Sequence, residues 1–248
     1  MIAIIVQART RSSRLPGKIL KKLYKDETIL DLCIENLKSL NYKIIIATTT
    51  NEADESIIRI AKKKFVDYYC GNENDVLQRF IDCAIEFDIS EIIRVTSDNI
   101  FIQPSLISPL IEHNHSDLDY ISYKIGNKNV VLTHWGFFSE YVTLEALKQV
   151  KSLTKEKKDL EHVTYYIYNH PDEFNIELWD VPKELNRNDI RLTIDTLADF
   201  KICQKVLNFL KQKDFETNYQ NILEYINKNP NILEEMKAQI TYHEKFKT

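Results

Sequence analysis

Residues 2–20 read IAIIVQARTRSSRLPGKIL, and the fold is decided by how that stretch changes character. Ile2 to Val6 is uncharged and apolar, which predicts a short strand buried on both faces, as in parallel sheets. Loop chemistry follows at once. Arg9, Arg11, Arg14 and Lys18 are interleaved with Ser12, Ser13, Pro16 and Gly17. In an open α/β sheet, ligands bind just past the carboxyl ends of strands. A buried strand that empties into a basic, hydroxyl-bearing loop therefore predicts a polyphosphate site. Backbone amides and hydroxyls line the phosphates there, and Arg and Lys neutralise them. The competing reading is an exposed basic loop that touches nothing. Neither Gly-x-x-x-x-Gly-Lys nor Gly-x-Gly-x-x-Gly occurs, so the loop is not a Walker loop or a dinucleotide fingerprint.

The chain continues in the same rhythm. Thr28 to Leu40 has helical spacing, with Thr28 and Asp31 as its N-terminal cap. Ile44 to Thr48 reads as a strand, Asn51 as the cap of a helix over Ala53 to Lys64, and Phe65 to Tyr69 as a third strand. Asp75 to Phe87 reads as a helix and Glu91 to Thr96 as a fourth strand. Strand and helix in alternation predict an α/β fold, a mostly parallel Rossmann-like sheet with helices on both faces. After a helix at Pro104 to Asn114 the pattern becomes a small α+β excursion. It has strands at Tyr120 to Tyr123 and Phe174 to Trp179, a strand with a loop over Lys128 to Phe138, and helices at Thr143 to Val150 and Glu161 to Asn169. Arg191 to Ile194 reads as a last short strand, and Leu197 to Thr248 as helix broken at Pro230. The reading is one domain over 1–248, with the excursion at about 120–180.

A net charge of −4 argues against broad nucleic-acid binding, so the basic patch is local. The apolar runs are strand-sized, too short to span a membrane, and no secretory leader is apparent. Four cysteines without a Cys-x-x-Cys pair fit reduced thiols, so the expected compartment is the cytoplasm.

Two further segments deliver a carboxylate just past an apolar run. In Arg94-Val95-Thr96-Ser97-Asp98-Asn99, Asp98 falls at the same sheet edge as Arg9 and Lys18. A carboxylate beside phosphates is repulsive unless a cation lies between, which implies Mg²⁺. The competing reading is a turn-forming Ser-Asp-Asn. In Leu192-Thr193-Ile194-Asp195-Thr196-Leu197-Ala198-Asp199, Asp195 follows its run in the same way, and Thr196 or Asp195 can cap the next helix. Two parallel strands in one sheet would make Asp98 and Asp195 converge over the basic loop.

The spacing Arg9-x-x-Ser12-x-Arg14-Leu15-Pro16-Gly17-Lys18 resembles the signature loop of the cytidylyltransferases that make CMP-activated acidic sugars, the CMP-Kdo and CMP-sialic acid synthetases. It is most similar to the spore-coat polysaccharide branch, which often shares Gln7 before Ala8-Arg9. The Asp98 segment resembles the family's Arg-x-Thr-Gly-Asp-Pro, with Ser97 for Gly and Ile100 for Pro. The Asp195 segment resembles Leu-Thr-x-Asp-Thr-x-x-Asp. Ala47 to Asn51 and Gly71 to Phe80 match the branch as well.

The resemblance implies a CTP-dependent nucleotidyltransferase that joins CMP to an acidic sugar, releases pyrophosphate and feeds a surface polysaccharide. It implies Arg9, Lys18 and Asp98 in catalysis, and Gln7, Ala8, Ser12, Arg14, Thr48 and Gly71 beside them around the nucleotide. It implies Asp98 and Asp195 as the Mg²⁺ carboxylates, Glu140 and His162 on the acceptor side, and a homodimer formed through the excursion. Three alternatives stand beside it: a glycosyltransferase holding metal through Asp117-Leu118-Asp119, a nucleotidyltransferase acting on a phosphorylated sugar or alcohol, and a non-catalytic nucleotide or RNA binder.

Overall fold

The computed structural model describes residues 1–12 and 14–245. Ser13 of the basic loop and the last three residues of the expected C-terminal helix lie outside them. The strands are β1 (Ile2–Gln7), β2 (Lys22–Tyr24), β3 (Glu27–Thr28), β4 (Ile44–Thr49), β5 (Asp67–Gly71), β6 (Glu91–Thr96), β7 (Tyr120–Ile125), β8 (Lys128–Asn129), β9 (Glu140–Thr143) and β10 (Ile176–Asp180). The helices are α1 (Ile29–Lys38), α2 (Glu55–Lys63), α3 (Val76–Glu86), α4 (Pro104–Glu112), α5 (Leu144–Leu153), α6 (Lys157–His162), α7 (Tyr165–Asn169), α8 (Leu197–Gln212), α9 (Tyr219–Lys228) and α10 (Pro230–Lys245).

One eight-stranded sheet in the order β10-β7-β9-β6-β1-β4-β5, with β8 beside β7, divides the molecule. β1 lies between β4 and β6, parallel to both, and β5 continues the parallel set beyond β4. Only β8 and β9 run against the others. The pleat of β1 sends Ile4 and Val6 to one face and Ala3 and Ile5 to the other. Helices α1, α2, α4, α8, α9 and α10 cover the first face, and α3, α5, α6 and α7 cover the second. The expected mostly parallel sheet with helices on both faces is what the chain forms. Burial on both sides explains the unbroken apolar character of its central strands.

Local chemistry sets the boundaries. Thr28 and Asp31 form the expected capping box on α1, and Asp75 caps α3 through the Gln78 amide. Asn51 accepts from the Ala53 amide, but the turn it caps is a 3₁₀ segment, Glu52–Asp54, ahead of α2.

Five expectations change. The helix expected from Leu197 onward is interrupted at 213–218, between α8 and α9, as well as at Pro230, where α10 begins. Phe65 is not in a strand: its φ is 54° and its ring is exposed, so β5 starts two residues later. Lys128 to Phe138 supplies only the two residues of β8, and the 3₁₀ turn Val130–Leu132 follows. The helix expected over Glu161 to Asn169 is two short helices broken at Val163. Arg191 to Ile194 joins no strand, because its amides go to loop carbonyls: Leu192 to His134 at 2.8 Å and Ile194 to Asp98 at 3.3 Å. Three strands were not anticipated: β2 and β3, which pair with each other as a small antiparallel sheet, and β9, which inserts between β6 and β7.

Candidate active site

The basic loop leaves β1 at the carboxyl edge of the parallel strands and is tied down at both ends. Asp54 is buried and accepts from the Thr10 amide at 2.7 Å and the Thr10 hydroxyl at 2.6 Å, while its other oxygen takes the Thr49 hydroxyl at 2.5 Å. Leu15 and Ile19 anchor the far end in the core, and the turn back uses Gly17 at φ 65°, where the left-handed region favours glycine. Arg9, Thr10, Arg11, Ser12, Pro16 and Gly17 line a cleft of about 520 Å³. The Ala8 amide is spent on the Ala47 carbonyl, and the Ser12 hydroxyl accepts from the Leu15 amide at 3.4 Å.

Lys18 carries the centre. Its ammonium donates to Asp98 Oδ2 at 2.7 Å, to the Ile194 carbonyl at 2.7 Å and to Asp195 Oδ1 at 3.0 Å. The two carboxylates, far apart in sequence, therefore lie no further from each other than those two bonds laid end to end. Arg14 donates to the same Asp195 oxygen at 2.7 Å. The expected convergence occurs by a different route, since the Ile194 amide is hung on the Asp98 carbonyl instead of on a strand. Burial opposes the Lys18 charge, but Asp98 and Asp195 outweigh it and hold the ammonium above its usual range. Burial likewise opposes the Asp195 charge, and Lys18 and Arg14 hold its carboxyl below the usual range.

Behind Asp195 stands a group that sequence reasoning did not single out. Arg191 is fully buried and binds Asp199 through both Nε and Nη2; its Nη1 donates to His134 Nδ1 at 2.7 Å, and Nη2 also reaches Asp195 Oδ2 at 3.4 Å. Asp199 accepts from the amides of Asp195 and Thr196. An arginine at the head of an apolar run was the signal available.

A second cluster joins the remaining candidates. Glu140, at the start of β9, is buried. It pairs with Arg94, and accepts from the Tyr120 hydroxyl and, at 2.8 Å, from the Thr164 hydroxyl. Arg94 also donates to Gln7 Oε1 at 3.2 Å. Two residues before Thr164, His162 sits at the surface beside Val163, whose φ 53° and ψ −64° with a Thr164 amide to His162 carbonyl contact of 2.6 Å make a γ-turn of the rare, strained hand. Such strain in a β-branched residue persists only where its surroundings over-determine it, and it gathers at functional sites. Desolvation lowers the His162 pKa, and Arg94, Lys158 and Arg9 push the same way against Glu161. Glu161 pairs with Arg9 at 3.2 Å, so this turn is tied to the basic loop. The structure thus brings Gln7, Arg9, Glu140 and His162 into one neighbourhood.

Thr48 and Gly71 lie on β4 and β5 at the same edge. Thr48 is fully buried, and its hydroxyl has no partner among the described residues. Asp117 and Asp119 precede β7, at the opposite edge from Lys18.

Asp98 and Asp195 are the residues able to share a divalent ion. Among the described residues, no group of three or more His, Cys, Asp or Glu could hold one. Two hard oxygen ligands, with phosphate oxygens and water completing the set, suit Mg²⁺ or Mn²⁺ better than zinc. Among the described residues, no helix is long and apolar enough to cross a membrane.

A family model described as cytidylyltransferase matches residues 3–243. An uncharacterised protein of Methanocaldococcus jannaschii is 37% identical over 234 residues, 92% of this chain and 91% of that one. The spore coat polysaccharide biosynthesis protein SpsF of Bacillus subtilis is 29% identical over 247 residues, 96% of this chain and 98% of that one. A solved cytidylyltransferase from Leptospira borgpetersenii superposes with a TM-score of 0.81 at 27% identity, covering 94% of this chain and 96% of its own.

Proposed function

The chain belongs to the cytidylyltransferase family and is a CTP-utilising nucleotidyltransferase, and from that premise we propose that it couples CTP, with Mg²⁺, to an acidic sugar. The products are a CMP-sugar and pyrophosphate, and the CMP-sugar serves surface polysaccharide synthesis in the cytoplasm. The observation that carries the reading is Lys18 held between Asp98 and Asp195 at the mouth of the basic loop. The likeness to the spore coat protein supports the sugar branch.

In this reading the triphosphate lies over Arg9 to Lys18. Arg9 and Arg14 hold the β- and γ-phosphates, Ser12 lines them, and the nucleoside extends over β4 and β5 towards Thr48 and Gly71. An acceptor hydroxyl attacks the α-phosphate in line with the leaving pyrophosphate. As the bond breaks, negative charge builds on the bridging oxygen and the Lys18 ammonium meets it. The protein's task is alignment and charge neutralisation, which is most of what phosphoryl chemistry needs from a protein. A divalent ion held by Asp98 and Asp195 would polarise the α-phosphate.

On the acceptor side, the strained turn at His162 and the Arg94–Glu140 pair form the wall. Glu140 is buried, so it acts by holding Arg94. A carboxylate on the sugar would find a donor in Arg94, whose Nε has no hydrogen-bond partner among the described residues. The excursion, β7 to β10, is also read as the contact between two copies. The glycosyltransferase alternative finds no support, because its Asp117–Asp119 pair sits at the far edge.

The test is pyrophosphate release from CTP with a panel of 2-keto sugar acids set against sugar 1-phosphates. Turnover with an acid supports the reading. Turnover with sugar 1-phosphates alone overturns the substrate class.

A further inference from the structure

Each cation of the basic loop already lies against a carboxylate. Arg9 Nη2 meets Glu161 Oε1 at 3.2 Å, Arg11 Nη1 meets Glu73 Oε2 at 3.3 Å, Arg14 Nη2 meets Asp195 Oδ1 at 2.7 Å, and Lys18 Nζ meets both Asp98 and Asp195. A triphosphate asks for the same donors, so these acids occupy the partners that phosphates would take. They are not held alike. Asp98 and Asp195 share Lys18, and Glu73 also accepts from the Asn51 side chain at 3.2 Å. Glu161 has no hydrogen-bond partner but Arg9 among the described residues. The two side chains of that pair are 32% and 40% exposed, and Arg9 lines the cleft of about 520 Å³ beside the loop. A nucleotide in the cleft therefore reaches the contact without opening the core.

Glu161 also belongs to the acceptor side. It lies in the last turn of α6, two residues before Val163 with its strained φ of 53°. The chain on either side of the turn is anchored. Asp159 is buried and accepts from the Thr154 hydroxyl at 2.7 Å, while Val163 and Thr164 are buried and the Thr164 hydroxyl donates to Glu140, the partner of Arg94. Between those anchors, the Arg9 contact is the tie on Glu161. Strain in a β-branched residue lasts only while its surroundings over-determine it. An anion that takes Arg9 removes one of those constraints and leaves Glu161 and His162 free to move. An exposed ion pair adds little stability, so it yields readily to a polyphosphate.

We propose that Glu161 is a positioning residue that couples the two substrate sites. It occupies Arg9 in the free protein and gives it up to the triphosphate. The turn at Val163 then relaxes, and His162 turns to face the acceptor. Nucleotide binding precedes acceptor binding for that reason. No bond is made or broken in this step: Arg9 exchanges one anion for another. The proposal rests on CTP being the nucleotide bound over the basic loop, and it adds the order in which the substrates enter.

Glu161→Gln keeps the shape of the side chain and removes its charge. Calorimetry with CTP and Mg²⁺ should show binding tightened by roughly two- to fivefold, because no carboxylate has to leave Arg9. A residue that merely braced Arg9 would give the opposite sign, so weaker or unchanged binding overturns the proposal. Hydrogen exchange at the Thr164 amide, which closes the strained turn onto the His162 carbonyl at 2.6 Å, reads the second half. Followed by nuclear magnetic resonance, CTP should speed that exchange in the unaltered protein, and in Glu161→Gln it should already be fast without nucleotide. Exchange that CTP slows or leaves unchanged in the unaltered protein overturns the coupling. Failure of the unaltered protein to bind CTP at all would instead overturn the CTP reading beneath it.

Discussion

Arg191 grips the carboxylate of Asp199 side-on, Nε to Oδ1 at 2.7 Å and Nη2 to Oδ2 at 2.9 Å, with both side chains out of reach of solvent. The pair fixes the backbone on either side of it. Asp199 takes the amides of Asp195 and Thr196 and closes a capping box on α8. Asp195 therefore lies one residue before Thr196, the N-cap of α8, and faces the basic loop in one fixed orientation. Removing half of a buried pair strands the other charge, at a cost of about 3–5 kcal/mol. Asp199→Ala should lower the melting temperature by on the order of 10 °C, read by calorimetry, and an unchanged transition would refute this account of the pair.

Lys18→Ala should cut kcat by roughly a hundred-fold or more while CTP binding changes less, because the ammonium matters most as the leaving group forms. Arg14→Ala should instead weaken CTP binding. Lys18 is also the cation already between Asp98 and Asp195. Without it the carboxylates repel each other, so Lys18→Ala should bind Mn²⁺ more tightly than the unaltered protein when no nucleotide is present. Electron paramagnetic resonance of free Mn²⁺ would register the change, and equal or weaker binding would count against the ammonium's place.

Asp54 is the tether of the basic loop. Asp54→Ala frees Thr10 and Thr49 together and leaves buried donors unmet, at about 1–3 kcal/mol for each group left without a partner. Loop placement should suffer as well as stability. The expected result is a KM for CTP raised roughly tenfold, in keeping with the cost of small misplacements at a phosphate site. Steady-state kinetics beside a thermal melt would separate the two effects.

His162 supplies a pH dependence. Its folded pKa lies below 6.5, so the native state resists protonation that the unfolded chain accepts. Between those two values the unfolded state holds more protons, and stability rises with pH. As pH falls through 6.5 towards the folded pKa, this contribution declines. Nuclear magnetic resonance of the imidazole should show titration below 6.5, and His162→Asn should flatten the acid limb of the stability curve. A midpoint above 6.5 would contradict the desolvated setting.

The parallel core was legible because both-face burial writes itself as uncharged runs such as Ile2 to Val6 and Ile44 to Thr48. The candidate site was legible where a strand end supplies the residue directly, as for Asp98 just past β6, and where the loop itself is dense in basic residues, as for Lys18. It was less so where long-range pairing decides. β9 opens with Glu140, a charged residue that hides a strand until Arg94 on the neighbouring strand is seen to neutralise it. Arg191 to Ile194 has strand composition, yet the carbonyls of His134 and Asp98 claim its amides. The turn at Val163 has no local signature, since valine is among the residues least suited to positive φ. Arg79 on α3 is buried with Nε and Nη2 unpartnered among the described residues, because Asp54 serves Thr10 and Thr49 and Glu73 serves Arg11 and Asn51, which composition cannot state.

Metal and nucleotide should bind cooperatively. In the structure, Lys18 and Arg14 already balance Asp195, and Lys18 balances Asp98, so a divalent ion alone must displace an ammonium to gain two carboxylates. A triphosphate offers those cations other partners and brings oxygen ligands of its own. Each ligand then eases the other's binding, by the same factor in both directions, and couplings of this kind are typically about 5- to 150-fold. CTP titrations by calorimetry, with Mg²⁺ and with a chelator, should differ by a factor in that range. Asp98→Asn and Asp195→Asn should each remove the difference and abolish turnover while leaving the thermal transition cooperative. Equal CTP affinity with and without the ion in the unaltered protein would mean that Asp98 and Asp195 do not share a metal with the triphosphate.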